Sequence, residues 1–237
     1  MNNKNNAFNT QGLKVKPQYL TFLFMLYVTL SLAGNATLFK IVQIGFITGP
    51  GGILVIPIIL LLEDVIAEIY GYKISRTLLW YILFSELFFS LIVISIIKIN
   101  SPSYWHEQAD FNVVFGSLFQ GTPILVLGVF SGRFLNLYII TKLKILTKGR
   151  YFWIRSVFSC LCGDLLTLTI IFSFLFPGMP FDVRAHLYLS DLFMRVSYSI
   201  FGGGLGVLIV KYFKKKEGIN VDDLKTKLNP FKLDITE

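Results

Sequence analysis

Apolar residues run along this chain in six long windows, near 20–41, 46–69, 76–98, 115–140, 153–177 and 187–211, separated by short polar connections. Each is close to the roughly 20 residues a helix needs to cross a hydrocarbon core of about 30 Å. The pattern predicts an all-α fold, a polytopic membrane protein whose six-transmembrane-helix bundle occupies 20–211. A segment 1–19 precedes the bundle and a tail 212–237 follows it. The longest connector, IKINSPSYWHEQADFN, carries Pro102, Tyr104 and Trp105 and reads as an interfacial loop. The first window lacks a small-residue cleavage site and is too long for a signal peptide, so it is expected to stay in the protein.

Composition agrees with lipid as the solvent. Of 237 residues 54% are hydrophobic and only 15% charged, against about 25% charged in ordinary soluble domains. No polar stretch is left that would house a soluble enzyme domain. The net charge of +8 does not call for nucleic acid, because the basic residues lie in clusters between apolar windows. Lys4, Lys14 and Lys16, then Lys73 and Arg76, then Lys142, Lys144, Lys148 and Arg150, then Lys211 and Lys214–Lys216 fall on one face; Lys40, Lys98 and Arg184 fall on the other. The positive-inside rule then predicts both termini in the cytoplasm of a cell inner membrane.

Metal and nucleophile chemistry find little support. His106 and His186 are far apart in sequence, and Cys160 and Cys162 do not share a helix face, so both cysteines read as packing residues. GGGLG at 202–206 lies inside a span, where small residues let helices approach closely. The informative residues are charges inside apolar windows, each costing roughly 2.5 kcal/mol or more near a bilayer centre unless it meets protein, water, a counter-charge or a proton. LLLEDVIAEIYGYKISR places Asp64 and Glu68 on one helical face, with Glu63 rotated away. Glu86, Arg133, Asn136, Arg155, Asp164 and the same-face pair Asp191 and Arg195 enter the other spans. Arg133 is a candidate counter-charge for Asp64 or Asp164, and Asp191 and Arg195 can satisfy each other. Pro50, Gly51, Gly52 and Pro57 can interrupt the second span, either as a kink at its entry or to free backbone groups for a substrate cavity.

Four stretches carry a resemblance: LAGNATLFK (32–40), EDVIAEIYGYKISR (63–76), GRFLNLYIITKLKILTKGRYFWIRS (132–156) and KKKEGINVDDLKTKLNPF (214–231). Through them the chain resembles the queuosine-precursor transporter family, also called the vitamin-uptake transporter family. The resemblance implies a six-span inner-membrane importer of 7-deazaguanine bases used in tRNA modification, without catalysis or cofactor. Asn35, Lys40, Asp64, Glu68, Tyr70, Gly71, Asn136, Arg155, Ser159 and Gly163 look like family positions. Thr167 stands where the family pattern has Asp, Arg133 where an acidic or amide residue is familiar, and Arg195 where Lys is familiar.

A guanine-like base suits these residues. A carboxylate can accept from a ring N–H and an exocyclic amine together, amides can read the remaining edge, and aromatic rings can cover the faces. The expected substrate-binding set is Asp64 first, then Asp164, with Asn35, Gln120 and Asn136 orienting the base. Lys40, Glu68, Arg133, Arg155, Asp191 and Arg195 are the candidate gating or ion-pair residues. The expected partners are a small planar base and membrane lipids, with no bound nucleic acid and a homo-oligomer left open. Proton coupling and uniport both fit, as do another heterocycle as cargo and, less well, a structural membrane protein.

Overall fold

A computed structural model of the chain describes residues 19–37, 40–45, 47–174, 176, 178–219, 221–224 and 226–231. Among these the elements are α1 (Leu20–Thr37), a hairpin of β1 (Ile41–Ile44) and β2 (Ile47–Pro50), a 3-10 turn (Gly51–Leu54), α2 (Ile56–Tyr70), α3 (Tyr72–Ile97), α4 (Gln108–Leu146), α5 (Phe152–Phe174) and α6 (Phe181–Glu217). The protein is an all-α polytopic membrane protein apart from that hairpin. Five helices, all but α2, contain segments long and apolar enough to cross a membrane.

The second apolar window departs from expectation. A helix is expected over 46–69, with Pro50, Gly51, Gly52 and Pro57 able to interrupt it; its first part is strand and 3-10 turn, and α2 has only 15 residues. At 1.5 Å per residue it rises roughly 22 Å. Pro50 and the two glycines account for the break. The Gly51 N–H donates to the Lys40 carbonyl at 2.6 Å, and a Cβ on Gly51 would sit 2.5 Å from the Thr37 carbonyl oxygen. The 3-10 turn that follows the hairpin therefore packs tightly against the end of α1. By contrast α4, with 39 residues, and α6, with 37, outrun their windows of 115–140 and 187–211, because polar residues continue both helices beyond the apolar stretch.

Helix α2 is the centre of the bundle and packs against each of the other five helices. Every residue from Leu62 to Tyr70 is buried, acids included. Around it, Ile59, Val65, Ile66 and Ile69 meet Leu23, Tyr27, Leu79, Leu137 and Ile140 in the main core. On the far side of α4, a Cβ on Gly132 would fall 2.5 Å from the Gly163 carbonyl oxygen, so α4 and α5 touch backbone to backbone. Trp153 lies over Gly203 of α6 and donates from its indole nitrogen to the Ile200 carbonyl at 2.8 Å. Within GGGLG, Gly203 and Gly206, the latter against Leu61 and Phe152, thus serve packing, while Gly204 faces open space.

A single residue, Gly71, separates α2 from α3, with φ 83° and ψ 174°. The chain beyond α6 returns to this break. Asp223 Oδ1 accepts the Tyr72 N–H at 2.9 Å, Arg76 donates to the Asn229 carbonyl at 3.0 Å, and Trp80 donates to the Pro230 carbonyl at 2.8 Å. A Cβ on Gly71 would meet Val221 at 2.6 Å and Asp223 at 2.9 Å. Positive φ alone costs an L-residue about 1–2 kcal/mol. Gly71→Ala is therefore expected to lower the thermal midpoint and to speed proteolysis within 221–231, both read on purified protein; unchanged cleavage would show that the tail does not depend on the break.

Candidate functional site

The acids of α2 meet three different sets of partners. Glu68 accepts from both terminal nitrogens of Arg155 at 3.1 Å and from Lys214 Nζ at 2.8 Å. Asp64, fully buried, accepts from Asn136 Nδ2 at 2.9 Å, from the Ser156 hydroxyl and from Cys160 Sγ at 3.4 Å. Both acids face α5, as their spacing of four predicts. Glu63 turns towards α1 and accepts from the Tyr27 hydroxyl at 3.0 Å. Tyr27 in turn accepts from Arg133 Nη1 at 2.8 Å, and the same nitrogen lies 3.3 Å from Ser31 Oγ.

Arg133 thus neutralises neither Asp64 nor Asp164 by direct pairing. Among the described residues no carboxylate lies within 4 Å of it as an ion pair. Asp164 is paired with Arg195 at 2.9 Å, and Arg195 also binds Asp191 through Nε at 2.8 Å and Nη2 at 3.2 Å. The Asp191 and Arg195 pair read from sequence is present, with Asp164 as a third member. One guanidinium serving two buried carboxylates uses the fork geometry that makes Arg suited to this task.

These groups surround a narrow cavity among α1, α2, α4, α5 and α6. Its polar wall includes Asn35, Arg133, Asn136, Asp164, Thr167 and Arg195, while Ile56, Ile59 and Ile171 supply apolar surface. The cavity has a volume of about 40 Å³, enough for roughly three waters and too little for a bicyclic base. Ile171 also belongs to an apolar cluster with Leu168, Phe172 and Leu187. Phe172 lines, on its other side, an open cleft of about 460 Å³ near the start of α6, with Arg184 and Tyr188. The cluster therefore stands between cavity and cleft. Towards the opposite end of α6, Glu68, Arg155 and Lys214 tie α2, α5 and α6 together.

Of the expected substrate-binding residues, Asn35, Asn136 and Asp164 line the cavity. Asp64 stands behind Asn136 with both oxygens occupied, so it holds the amide and does not border the open space. The Gln120 side chain lies outside the described residues. Of the expected ion-pair residues, Glu68, Arg155, Asp191 and Arg195 form pairs, Arg133 joins a hydroxyl network, and Lys40 is exposed beside the hairpin and enters none of the ion pairs among the described residues. Cys160, expected to be a packing residue, is an Asp64 partner.

Several members had no sequence signal. Tyr27 is one tyrosine in an apolar helix. Lys144 looks like any cytoplasmic lysine, yet it is buried, donates to the Ala67 and Glu68 carbonyls at the end of α2, and pairs with Asp223 at 3.0 Å. A cation there also suits the negative end of the helix dipole. Ser156, next to Arg155 in the WIRS stretch, is recognisable by helical spacing, since it shares a face with Cys160.

Comparison with known proteins adds one match. The model of the family described as "Putative vitamin uptake transporter" matches residues 50–209, a stretch running from the end of the hairpin through most of α6. No curated protein and no solved structure matches.

Proposed function

Since the chain belongs to the vitamin-uptake transporter family, and so is a membrane transporter of a small molecule, we propose that its cargo is a queuosine precursor, a 7-deazaguanine base or queuine. Import would run across the inner membrane by alternating access. The observation that carries this reading is the central cavity, whose wall offers a carboxylate, amides and guanidinium donors within one apolar bundle. A lactam-bearing base needs that mixture: Asp164 can accept from ring and exocyclic N–H groups, Asn35 and Asn136 can orient the edge, and Arg133 or Arg195 can donate to the ring carbonyl. Asp64 then acts through Asn136 as a positioning residue.

In this reading the second crossing consists of the hairpin, the 3-10 turn and α2 together, which restores six crossings and puts both termini in the cytoplasm. Irregular backbone at membrane depth is tolerated where protein buries it. Admission of a base requires the cavity to widen. Parting α5 and α6 at the Leu168, Ile171, Phe172 and Leu187 cluster opens one side, and breaking the Glu68, Arg155 and Lys214 cluster opens the other.

The test is uptake of radiolabelled queuine and its two bacterial base precursors by cells lacking their own importer. Wild-type protein is expected to restore uptake, and Asp164→Asn to raise the half-saturating concentration about tenfold or more, as loss of a charge-assisted hydrogen bond does. Absence of uptake of all three, with the protein demonstrated in the membrane, overturns the cargo. Another heterocycle in the same cavity is the second reading, favoured by Arg133 and Thr167, which depart from the resembled pattern at the cavity wall.

A further inference from the structure

Charges inside the bundle do not balance around Arg133. Asp164 and Asp191 share Arg195, and Glu68 has Arg155 and Lys214. That leaves Glu63 and Glu86 with Arg133 as the guanidinium that faces both, and Asp64 beside Glu63 with only Arg155, already bound to Glu68, as a cation of its own. In a low-dielectric interior an excess of carboxyls over cations is held by protons, because isolated buried carboxylates are costly and adjacent ones repel.

Hydrogen-bond accounting locates a proton. Asp64 behaves as an ionised acceptor, with three donors on its oxygens. Glu63 is 2% exposed and has one donor, Tyr27 on Oε2; its Oε1 is buried with no partner. Asn136 is 1% exposed, and its Nδ2 is turned to Asp64, leaving Oδ1 likewise buried with no partner. Two buried acceptors, one on Glu63 and one on the Asn136 that binds the adjacent Asp64, therefore each lack a hydrogen, and an unmade buried bond costs about 1–3 kcal/mol for each group.

We propose that Glu63 is a proton-binding site, its buried and otherwise partnerless Oε1 carrying the hydrogen, and that transport is coupled to a proton bound and released there. The surroundings are specific. From α1 Glu63 faces Tyr27, from α4 Arg133 and Asn136, and along α2 Asp64; Glu86 of α3 joins through Arg133. The charged groups of α5 and α6 nearest α2, Arg155 and Lys214, are taken by Glu68. Two routes from Glu63 reach the cavity wall, through Tyr27 to Arg133 and through the adjacent Asp64 to Asn136. Loss of the proton draws the Tyr27 hydroxyl and Arg133 towards the carboxylate, so proton release reorganises an α4 residue that lines the cavity. The inference rests on transport as the activity and not on the identity of the cargo.

The full chain in proteoliposomes tests this with an imposed pH difference of one unit, inside alkaline. One proton per substrate balances about tenfold accumulation of the labelled 7-deazaguanine base. Wild type is expected to reach that ratio. Glu63→Gln, whose amide supplies the missing hydrogen permanently, is expected to give a ratio of about one while still exchanging labelled for unlabelled base. Accumulation by E63Q at the wild-type ratio, or wild-type accumulation indifferent to the pH difference, overturns the proposal. Infrared difference spectra of wild type minus E63Q at neutral pH provide a readout free of cargo: a carboxylic-acid C=O band supports the site, and its absence overturns it. If E63Q does not insert, Glu63→Asp serves in both measurements, with a displaced acid band and a shifted pH dependence expected. Should no deazaguanine base be taken up, the cargo reading falls, and the infrared band still decides the proton site.

Discussion

Arg195→Leu is expected to give little folded protein, the largest loss of any single substitution in the bundle. The guanidinium is the counter-charge of both Asp164 and Asp191, and all three side chains are at most 5% exposed. Removing one partner of a buried pair costs about 3–5 kcal/mol, and here two carboxylates are stranded by one change. Natural stabilities are about 5–15 kcal/mol, so such a loss removes most of the margin. The measurement is the fraction of monodisperse protein after detergent extraction, with the thermal midpoint of what survives. The triple variant Asp164→Asn, Asp191→Asn and Arg195→Gln removes the stranded charge and is expected to recover folded protein. If it also recovered full uptake, the triad would be scaffolding and the cavity reading would lose its carboxylate.

The second large effect lies at the tail. Asp223→Ala takes away the acceptor of the Tyr72 N–H and the counter-ion of buried Lys144. The first loss is worth about 1 kcal/mol, as for other helix caps, and the second about 3–5 kcal/mol. Lys144 would keep its bonds to the α2 carbonyls, so the variant is expected to fold, with a thermal midpoint well below wild type and a tail open to protease. Adding Lys144→Met, which removes the orphaned charge, is expected to restore part of the midpoint but not tail protection. Equal protease resistance in wild type and Asp223→Ala would contradict this role.

Much of the bundle is legible because lipid imposes a simple rule: a helix facing hydrocarbon must be apolar for about 20 residues. That rule finds α1, α3, α5 and the apolar parts of α4 and α6. It misjudges α2, where Leu62–Tyr70 face protein and not lipid, so hydropathy does not govern its length, and Pro50, Gly51 and Gly52 replace the expected helix start with a hairpin and a turn. The site was legible as a list and not as a set of pairs. Acids and arginines within apolar windows stand out because each must be compensated, but which cation meets which acid depends on helix order and rotation. Helical spacing turns Glu63 away from the face of Asp64 and Glu68, and that same rotation delivers it to Tyr27. Asp223 carried no signal because nothing in the sequence separates it from Asp222; only the path of the returning tail does.

The enclosure of α2 also bears on how the protein sits in membranes of different thickness. A helix that meets lipid must tilt or deform the bilayer when its apolar length and the bilayer differ. The half of α2 that carries Glu63, Asp64 and Glu68 is walled off by its neighbours, so its depth is set by those contacts. Stretching or thinning the bilayer acts on the outer helices first, and the acids retain their partners while the shell around them adjusts.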